Sequence, residues 1–283
     1  IVGDGDGNVS HLWERECTIQ RRHQKLIEIA PSPSLDGRLR ARILDAALAL
    51  ARAARYDNLG TFEFLVDANA TADAPDAFAF IEANPRLQVE HPVTEEALGV
   101  DLVRTQISVA AGATLPALGL AQPDVPRPLG HAIQLRVNME TMDETGATHP
   151  SSGMLQAFQP PSGPGVRVDT FGYAGYQVGA SFDSLLAKVI VHARGPRFAD
   201  AVALGQRALR EFRIEGVATN AVFLEALLAH PDVAANRVTT RFIDTHIAEL
   251  VRTDHIGQRL YVETPGGAAT HPAQASPAHA VHA

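Results

Sequence analysis

The sequence predicts an α+β protein, and three observations predict it. Short runs of alternating apolar and polar residues, separated by turn chemistry, recur through both halves of the chain. Two stretches in each half carry apolar residues at spacings of three and four, as helices with one buried face require. Between the halves, residues 116–128 hold Pro116, Pro123, Pro126 and Pro128, a break that divides the chain into units at 1–118 and 119–252.

In chain order, Asp4-Gly5-Asp6-Gly7-Asn8 is turn chemistry between the apolar segments Ile1-Val2 and Val9 to Trp13, so the chain opens on a β-hairpin. A calcium loop is the competing reading of those aspartates, but the other ligand positions and flanking helices of an EF-hand are missing. Leu39, Ile43, Ala46, Ala47 and Leu50 predict an amphipathic helix over Asp36 to Arg55. Thr61 to Val66 and Phe78 to Glu82 read as neighbouring antiparallel strands. The stretch Thr94 to Ala110 reads as one helix with Leu98, Leu102, Val103 and Ile107 on a stripe. In the second unit, strands are expected at 132–137, 154–158, 166–171 and 184–192 and helices at 197–212 and 220–229, mostly antiparallel in pairing. Residues 253–283 read as a linker or flexible tail. From Pro265 they are mainly Gly, Ala, Pro, His and Thr, and His271, His279 and His282 are too irregularly spaced for a ligand set.

Composition excludes several functions. With 46% hydrophobic and 20% charged residues, the 283-residue chain is neither disordered as a whole nor low in complexity. A net charge of −8 argues against a general nucleic-acid binder and leaves anion binding to a local basic cluster. Cys17 is the single cysteine, which rules out an intrachain disulfide framework and fits a reducing compartment, so a cytoplasmic location is expected. No apolar run reaches about 20 residues, so no membrane span is expected. The opening Ile1-Val2-Gly3-Asp4 is neither an initiator Met nor a signal peptide, and the chain reads as a piece of a longer protein.

The chemistry concentrates in Phe80-Ile81-Glu82-Ala83-Asn84-Pro85-Arg86-Leu87-Gln88-Val89-Glu90-His91-Pro92. Run extended, it sends Glu82, Asn84, Arg86, Gln88 and Glu90 to one side. A solvated edge strand is one reading. Against it stand Asn and Gln, poor strand formers, and Pro85, which interrupts the ladder. The hairpin can bring Glu63 beside Glu82, as a solvent-facing pair or as two carboxylates for Mg²⁺, which completes its shell with phosphate oxygens and water. Gln20-Arg21-Arg22-His23-Gln24-Lys25 is either a solvated basic turn or a holder of phosphate or carbonate oxygens. Arg136 suits a structural ion pair as readily as a ligand contact.

These blocks, Gln20 to Lys25, Gly60 to Leu65 and Phe80 to Glu95, together resemble the biotin carboxylase component of biotin-dependent carboxylases, an ATP-grasp enzyme. Gly130 to Asn138, Tyr173-Ala174-Gly175-Tyr176, Phe182 to Lys188 and Gly216 to Asn220 continue the resemblance in order, over roughly residues 1–250. It implies the C-terminal part of an ATP-grasp domain, an antiparallel sheet with helices, followed by a biotin carboxylase C-terminal α+β domain. The implied reaction is ATP-dependent carboxylation of biotin by bicarbonate through carboxyphosphate. Another ATP-grasp carboxylate ligase and a non-catalytic assembly module are the alternatives.

The resemblance also implies roles. Glu63, Glu82 and Asn84 would hold Mg²⁺ or Mn²⁺ against the ATP phosphates. Lys25, Arg86, Gln88 and the backbone of Val89 would bind bicarbonate, and Glu90 would be its base. Arg136 would stabilise the biotin ureido oxyanion. Gln20 and His23 would contact nucleotide, with Leu65 and Ile81 as walls of the adenine pocket. Implied partners are a biotin carboxyl carrier domain, a carboxyltransferase and a second copy in a homodimer, with no nucleic acid or membrane. The acceptor, of acyl-CoA carboxylase, pyruvate or urea type, is chosen elsewhere. The N-terminal nucleotide-binding subdomain and the lid, with its glycine-rich loop and lysines, are not matched by these residues, so the chain is expected to be inactive alone. The stretch Asn69 to Asp76 lengthens the hairpin turn.

Overall fold

The turn at Asp4 to Asn8 joins strands Val2–Gly3 and Val9–Ser10 in antiparallel register, in a computed structural model that describes residues 1–179, 181–252 and 259–261. Asp4 holds it together. Its Oδ1 accepts from the amides of Asp6 and Asn8, and its Oδ2 accepts from the Leu115 amide at 2.7 Å, which ties the turn to the proline-rich stretch. Asn58–Leu59 adds a third strand. The predicted first helix spans Gly37–Ala53, with the Asp36 side chain accepting from the amides of Arg38 and Leu39 as N-cap. It buries Leu39, Ile43, Leu44, Ala47, Leu48 and Ala51, while Leu50 lies at the edge of the stripe and is exposed.

The single helix expected over 94–110 is two helices, His91–Leu98 and Leu102–Ala110. Gly99 ends the first at φ 70°, a conformation that favours glycine, and the Asp101 side chain caps the second by accepting from the Arg104 amide. The first begins earlier than Thr94 because Pro92 fits an opening turn that needs no N–H from it.

The main sheet has five antiparallel strands in the order Val166–Thr170, Leu185–Ala193, His131–Asn138, Gln24–Ala30 and Glu16–Arg21. Three of these strands follow the proline-rich stretch and two precede it. Helices Phe198–Glu211, Ala221–Ala229 and Phe242–Leu250 join a core that includes Ile27, Leu135, Val189, Leu209 and Leu224. The helix His91–Leu98 packs Val93 and Ala97 on Ala30, Ala132 and Ile190 of this sheet. That contact brings the residues before the helix over strands 24–30 and 131–138. The single strand expected at 154–158 is two, Gly153–Met154 pairing antiparallel with Gln177–Val178 and Ala157–Gln159 with Arg213–Glu215. The histidine-containing tail lies outside the described residues.

Candidate active site

Thr61–Val66 and Phe78–Asn84 form the expected hairpin, and Glu63 stands directly across from Glu82. The extended reading of 80–92 holds only as far as Asn84. Pro85 cannot donate to a ladder, the Arg86 amide turns back to the Asn84 carbonyl at 2.8 Å, and the chain coils into the helix at His91. Gln88 and Glu90 are therefore aimed by a turn and a helix start, not by strand alternation. Glu90 occupies the N-cap position but its side chain caps nothing, which leaves the carboxylate free to face the sheet.

There it is clamped between two cations. Lys25 Nζ donates to Glu90 Oε1 at 2.8 Å, and Arg136 Nη2 donates to Oε2 at 3.1 Å. The Glu90 side chain is only 4% exposed. Burial alone would raise its pKa, but the charges of Arg15 and Lys25 outweigh that and hold it below the usual glutamate value. Burial likewise opposes the Lys25 ammonium, yet the Cys17 sulfur, which is ionised only at the high pH where the lysine would titrate, and then Glu90 and Glu63 keep its pKa above the ordinary lysine value. Burial pushes the Cys17 thiol up to about 12, so it is a neutral neighbour of the lysine near pH 7.

Glu63 extends the network. Its Oε1 accepts from Lys25 Nζ at 3.2 Å, Gln88 Nε2 at 3.0 Å and Asn84 Nδ2 at 3.3 Å, while Asn84 Nδ2 also reaches Glu82 Oε1 at 2.8 Å. One amide donor thus bridges two carboxylates that would otherwise repel. Glu63, Glu82 and Asn84 fit a hard divalent cation, because the two carboxylates converge and the Asn84 amide, turned over, presents an oxygen between them. Such an ion takes its remaining ligands from phosphate and water; no cluster of three or more His, Cys, Asp or Glu ligands is present among the described residues.

Seven of the residues singled out from the sequence, Lys25, Glu63, Glu82, Asn84, Gln88, Glu90 and Arg136, thus come together. The others stand apart. Arg86 is exposed, with Nη1 on the Leu87 carbonyl at 3.4 Å, and the Val89 carbonyl accepts from Lys188 at 3.4 Å. His23 is exposed at the tip of the Arg21–Gln24 turn at φ 69°, and Gln20 pairs with Lys25 in the ladder. Leu65 and Ile81 are 55% and 56% exposed on the hairpin. Within the basic run, Arg21 donates to the Gly146 carbonyl at 2.5 Å and Arg22 to the Thr145 carbonyl at 3.4 Å, so Lys25 is the cation of that run that faces Glu90.

Three participants escaped the sequence reading. Arg15 Nη2 donates to Gln88 Oε1 at 3.0 Å and to Thr61 Oγ1 at 2.8 Å, steadying the amide that reaches Glu63. Glu28, fully buried, accepts from Arg136 Nε at 2.5 Å and from Gln134 Nε2 at 2.9 Å. A carboxylate inside the apolar run Leu26-Ile27-Glu28-Ile29 was the available signal for Glu28 and, through it, Gln134. Arg15 had none.

The family model of the carbamoyl-phosphate synthase L chain ATP binding domain matches residues 1–118, and that of the biotin carboxylase C-terminal domain matches residues 134–245. The fold is that of the ATP-grasp and C-terminal domains of biotin carboxylases. The chain belongs to the biotin carboxylases, as a C-terminal portion that joins the two matched regions. It is 46% identical over 245 residues to the mitochondrial pyruvate carboxylase of Homo sapiens, covering 86% of this chain and 20% of that protein. Among solved structures, the biotin carboxylase domain of a single-chain bacterial carboxylase is 50% identical with a TM-score of 0.78, covering 88% of this chain and 55% of that one. The biotin carboxylase domain dimer of Hydrogenobacter thermophilus 2-oxoglutarate carboxylase, in complex with MgADP, ADP and bicarbonate, is 38% identical with a TM-score of 0.79, covering 88% and 52%. The chain thus spans about a fifth of the curated relative and about half of the solved domains. No helix among the described residues is long and apolar enough to cross a membrane.

Proposed function

We propose that this chain supplies the bicarbonate- and biotin-activating part of a biotin carboxylase, which uses ATP to carboxylate biotin borne on a carrier domain, by way of carboxyphosphate. The observation that carries the reading is the buried Glu90 carboxylate held between Lys25 and Arg136. Bicarbonate is a weak nucleophile, and an ionised carboxylate beside it can take its proton as its oxygen attacks the γ-phosphorus and ADP leaves. Lys25, Gln88, Arg86 and the Val89 backbone hold the anion in this reading. Arg86 is free to turn inward because its present contact is a single long one to its neighbour's carbonyl. A planar fork suits a planar carbonate.

Biotin is the carboxyl acceptor of this half-reaction. Its ureido N–H is a very weak acid, and the Arg136 guanidinium lowers the cost of the negative charge that gathers on the ureido oxygen. Magnesium or manganese at Glu63, Glu82 and Asn84 would neutralise the phosphate oxygens of ATP. Gln20 and His23 are assigned to the nucleotide and Leu65 with Ile81 to the adenine, whose apolar face suits their exposure. We assign the units 1–118 and 119–252 to the ATP-grasp part and the C-terminal domain. The partners in this reading are a carrier domain, a carboxyltransferase and a second copy of the chain, and the location is cytoplasmic, although the human relative is mitochondrial. The 283-residue chain alone is expected to show no bicarbonate-dependent ATP cleavage.

The test uses a full-length biotin carboxylase carrying this segment. Glu90→Gln keeps the shape and removes the base, and is expected to slow bicarbonate-dependent ATP cleavage by about 10²-fold to 10⁴-fold with the KM for ATP little changed. A rate within about threefold of the parent would end the assignment of Glu90 as base.

A further inference from the structure

Glu28 carries a charge within Leu26 to Ala30, a part of the strand Gln24–Ala30 that is otherwise buried and apolar, and its exposure is 0%. Both of its oxygens are used. Gln134, which donates to Oε2, is its cross-strand partner, and Arg136, which donates to Oε1, lies two residues further along the same strand. The register of two neighbouring strands therefore fixes both donors. Arg136 Nη2 lies 2.5 Å from the same Glu28 Oε1 and also meets Glu90 Oε2 at 3.1 Å.

A buried carboxylate of this kind is poor value for stability, since an apolar side chain of similar volume is often as good. What it supplies here is direction. Without Glu28, Arg136 could turn both of its donor edges onto Glu90, neutralising the base and pointing away from any other acceptor. With Nε and Nη2 both on Glu28, Arg136 meets Glu90 only through that shared Nη2, and the guanidinium can leave Glu90 without becoming an unpaired buried cation.

We propose that Glu28, itself steadied by Gln134, is a positioning residue that sets the aim of Arg136 and keeps that guanidinium from closing onto Glu90. The proposal rests on the reading of Arg136 as the group that meets the biotin ureido oxygen.

The test again uses a full-length biotin carboxylase carrying this segment, with free biotin as acceptor. Glu28→Gln removes the charge and keeps the shape. Gln134 Oε1 is a buried acceptor with no partner, so turning that amide over satisfies the amide introduced beside it, and the variant should fold. The expected result is a fall in kcat for biotin carboxylation of about 10- to 100-fold, the cost of a misaimed group. KM values for ATP and bicarbonate should stay within about twofold, and biotin-independent ATP cleavage within about threefold. In an Arg136→Ala background, Glu28→Gln should add less than about twofold, because its effect runs through the arginine. Equal losses in both reactions, or full additivity in the double variant, would overturn the positioning role. Should Glu28→Gln not fold, Gln134→Met, which removes only the partner of Oε2, is expected to give the same split at about 3- to 10-fold, and no split there would overturn the proposal too. Arg136→Ala alone separates the two levels, since unimpaired biotin carboxylation by that variant would sink the reading of Arg136 itself.

Discussion

Lys25→Met in a full-length biotin carboxylase carrying this segment takes away a cation 2.8 Å from Glu90 and 3.2 Å from Glu63 while leaving a side chain of similar length. Removing a cation so close to a carboxylate raises its pKa. Glu90 starts below the usual glutamate value, held there against burial by Arg15 and Lys25. It acts as a base only when ionised, so the acidic limb of bicarbonate-dependent ATP cleavage should move to higher pH. Stability should follow the same sign. A depressed carboxylate pKa contributes stability that is present above the unfolded value and lost as pH falls through the folded one, and the variant forfeits part of it at neutral pH. Breaking a buried ion pair costs about 3 to 5 kcal/mol, but Arg136 still faces Glu90 and the Lys25 side chain is 21% exposed, so about 2 kcal/mol is the better figure. That corresponds to a melting temperature lower by about 4 to 8 °C in a domain of this size. The assays are a pH–rate profile and a thermal melt at pH 7 and pH 4. An acidic limb that stays in place while the rate falls would refute the reasoning, because Lys25 would then act on the substrate alone and not on the base.

Glu82→Gln should weaken the divalent cation site, raising the Mg²⁺ concentration for half-maximal ATP cleavage by about tenfold or more while the KM for bicarbonate holds. An unchanged metal dependence would remove Glu82 from the site. Gly60→Ala should destabilise the hairpin that carries Glu63, since a Cβ there would lie 1.7 Å from Tyr56 Oη and 2.9 Å from the Asn84 carbonyl oxygen. The expected cost is about 1 to 3 kcal/mol by thermal melt, and a melt identical to the parent would show that Tyr56 moves aside freely.

Side-chain type and local period alone determined a good deal about this protein. The alternation of Thr61 to Val66 and Phe78 to Glu82 was enough to read two antiparallel neighbours that can bring Glu63 beside Glu82, because side-chain direction in a strand repeats every two residues. The first helix was legible from apolar residues at spacings of three and four, while the capping role of Asp36 came from the structure. Residue types in Gln20 to Lys25 and Phe80 to Glu90 left a solvated basic turn and a solvated edge strand open, and only the resemblance of the blocks taken together named the chemistry. Local signals that oppose one another were harder to weigh. Gly99-Val100-Asp101 is an end and a start in three residues, and a helical stripe that continued through it hid the break. Only the tertiary structure decided which charges meet. Lys25, Glu90 and Arg136 come from three separate segments, and whether Arg86 or Arg136 touches Glu90 depends on a turn after Asn84 and on Val93 and Ala97 packing against the main sheet. Glu28 reads in sequence as one misplaced charge, and it becomes the holder of Arg136 only when strand 131–138 is laid beside it in register. Coulombic and hydrogen-bond energies fall off over a few ångströms, so they are set by packing between distant segments, whereas secondary structure answers to neighbours along the chain.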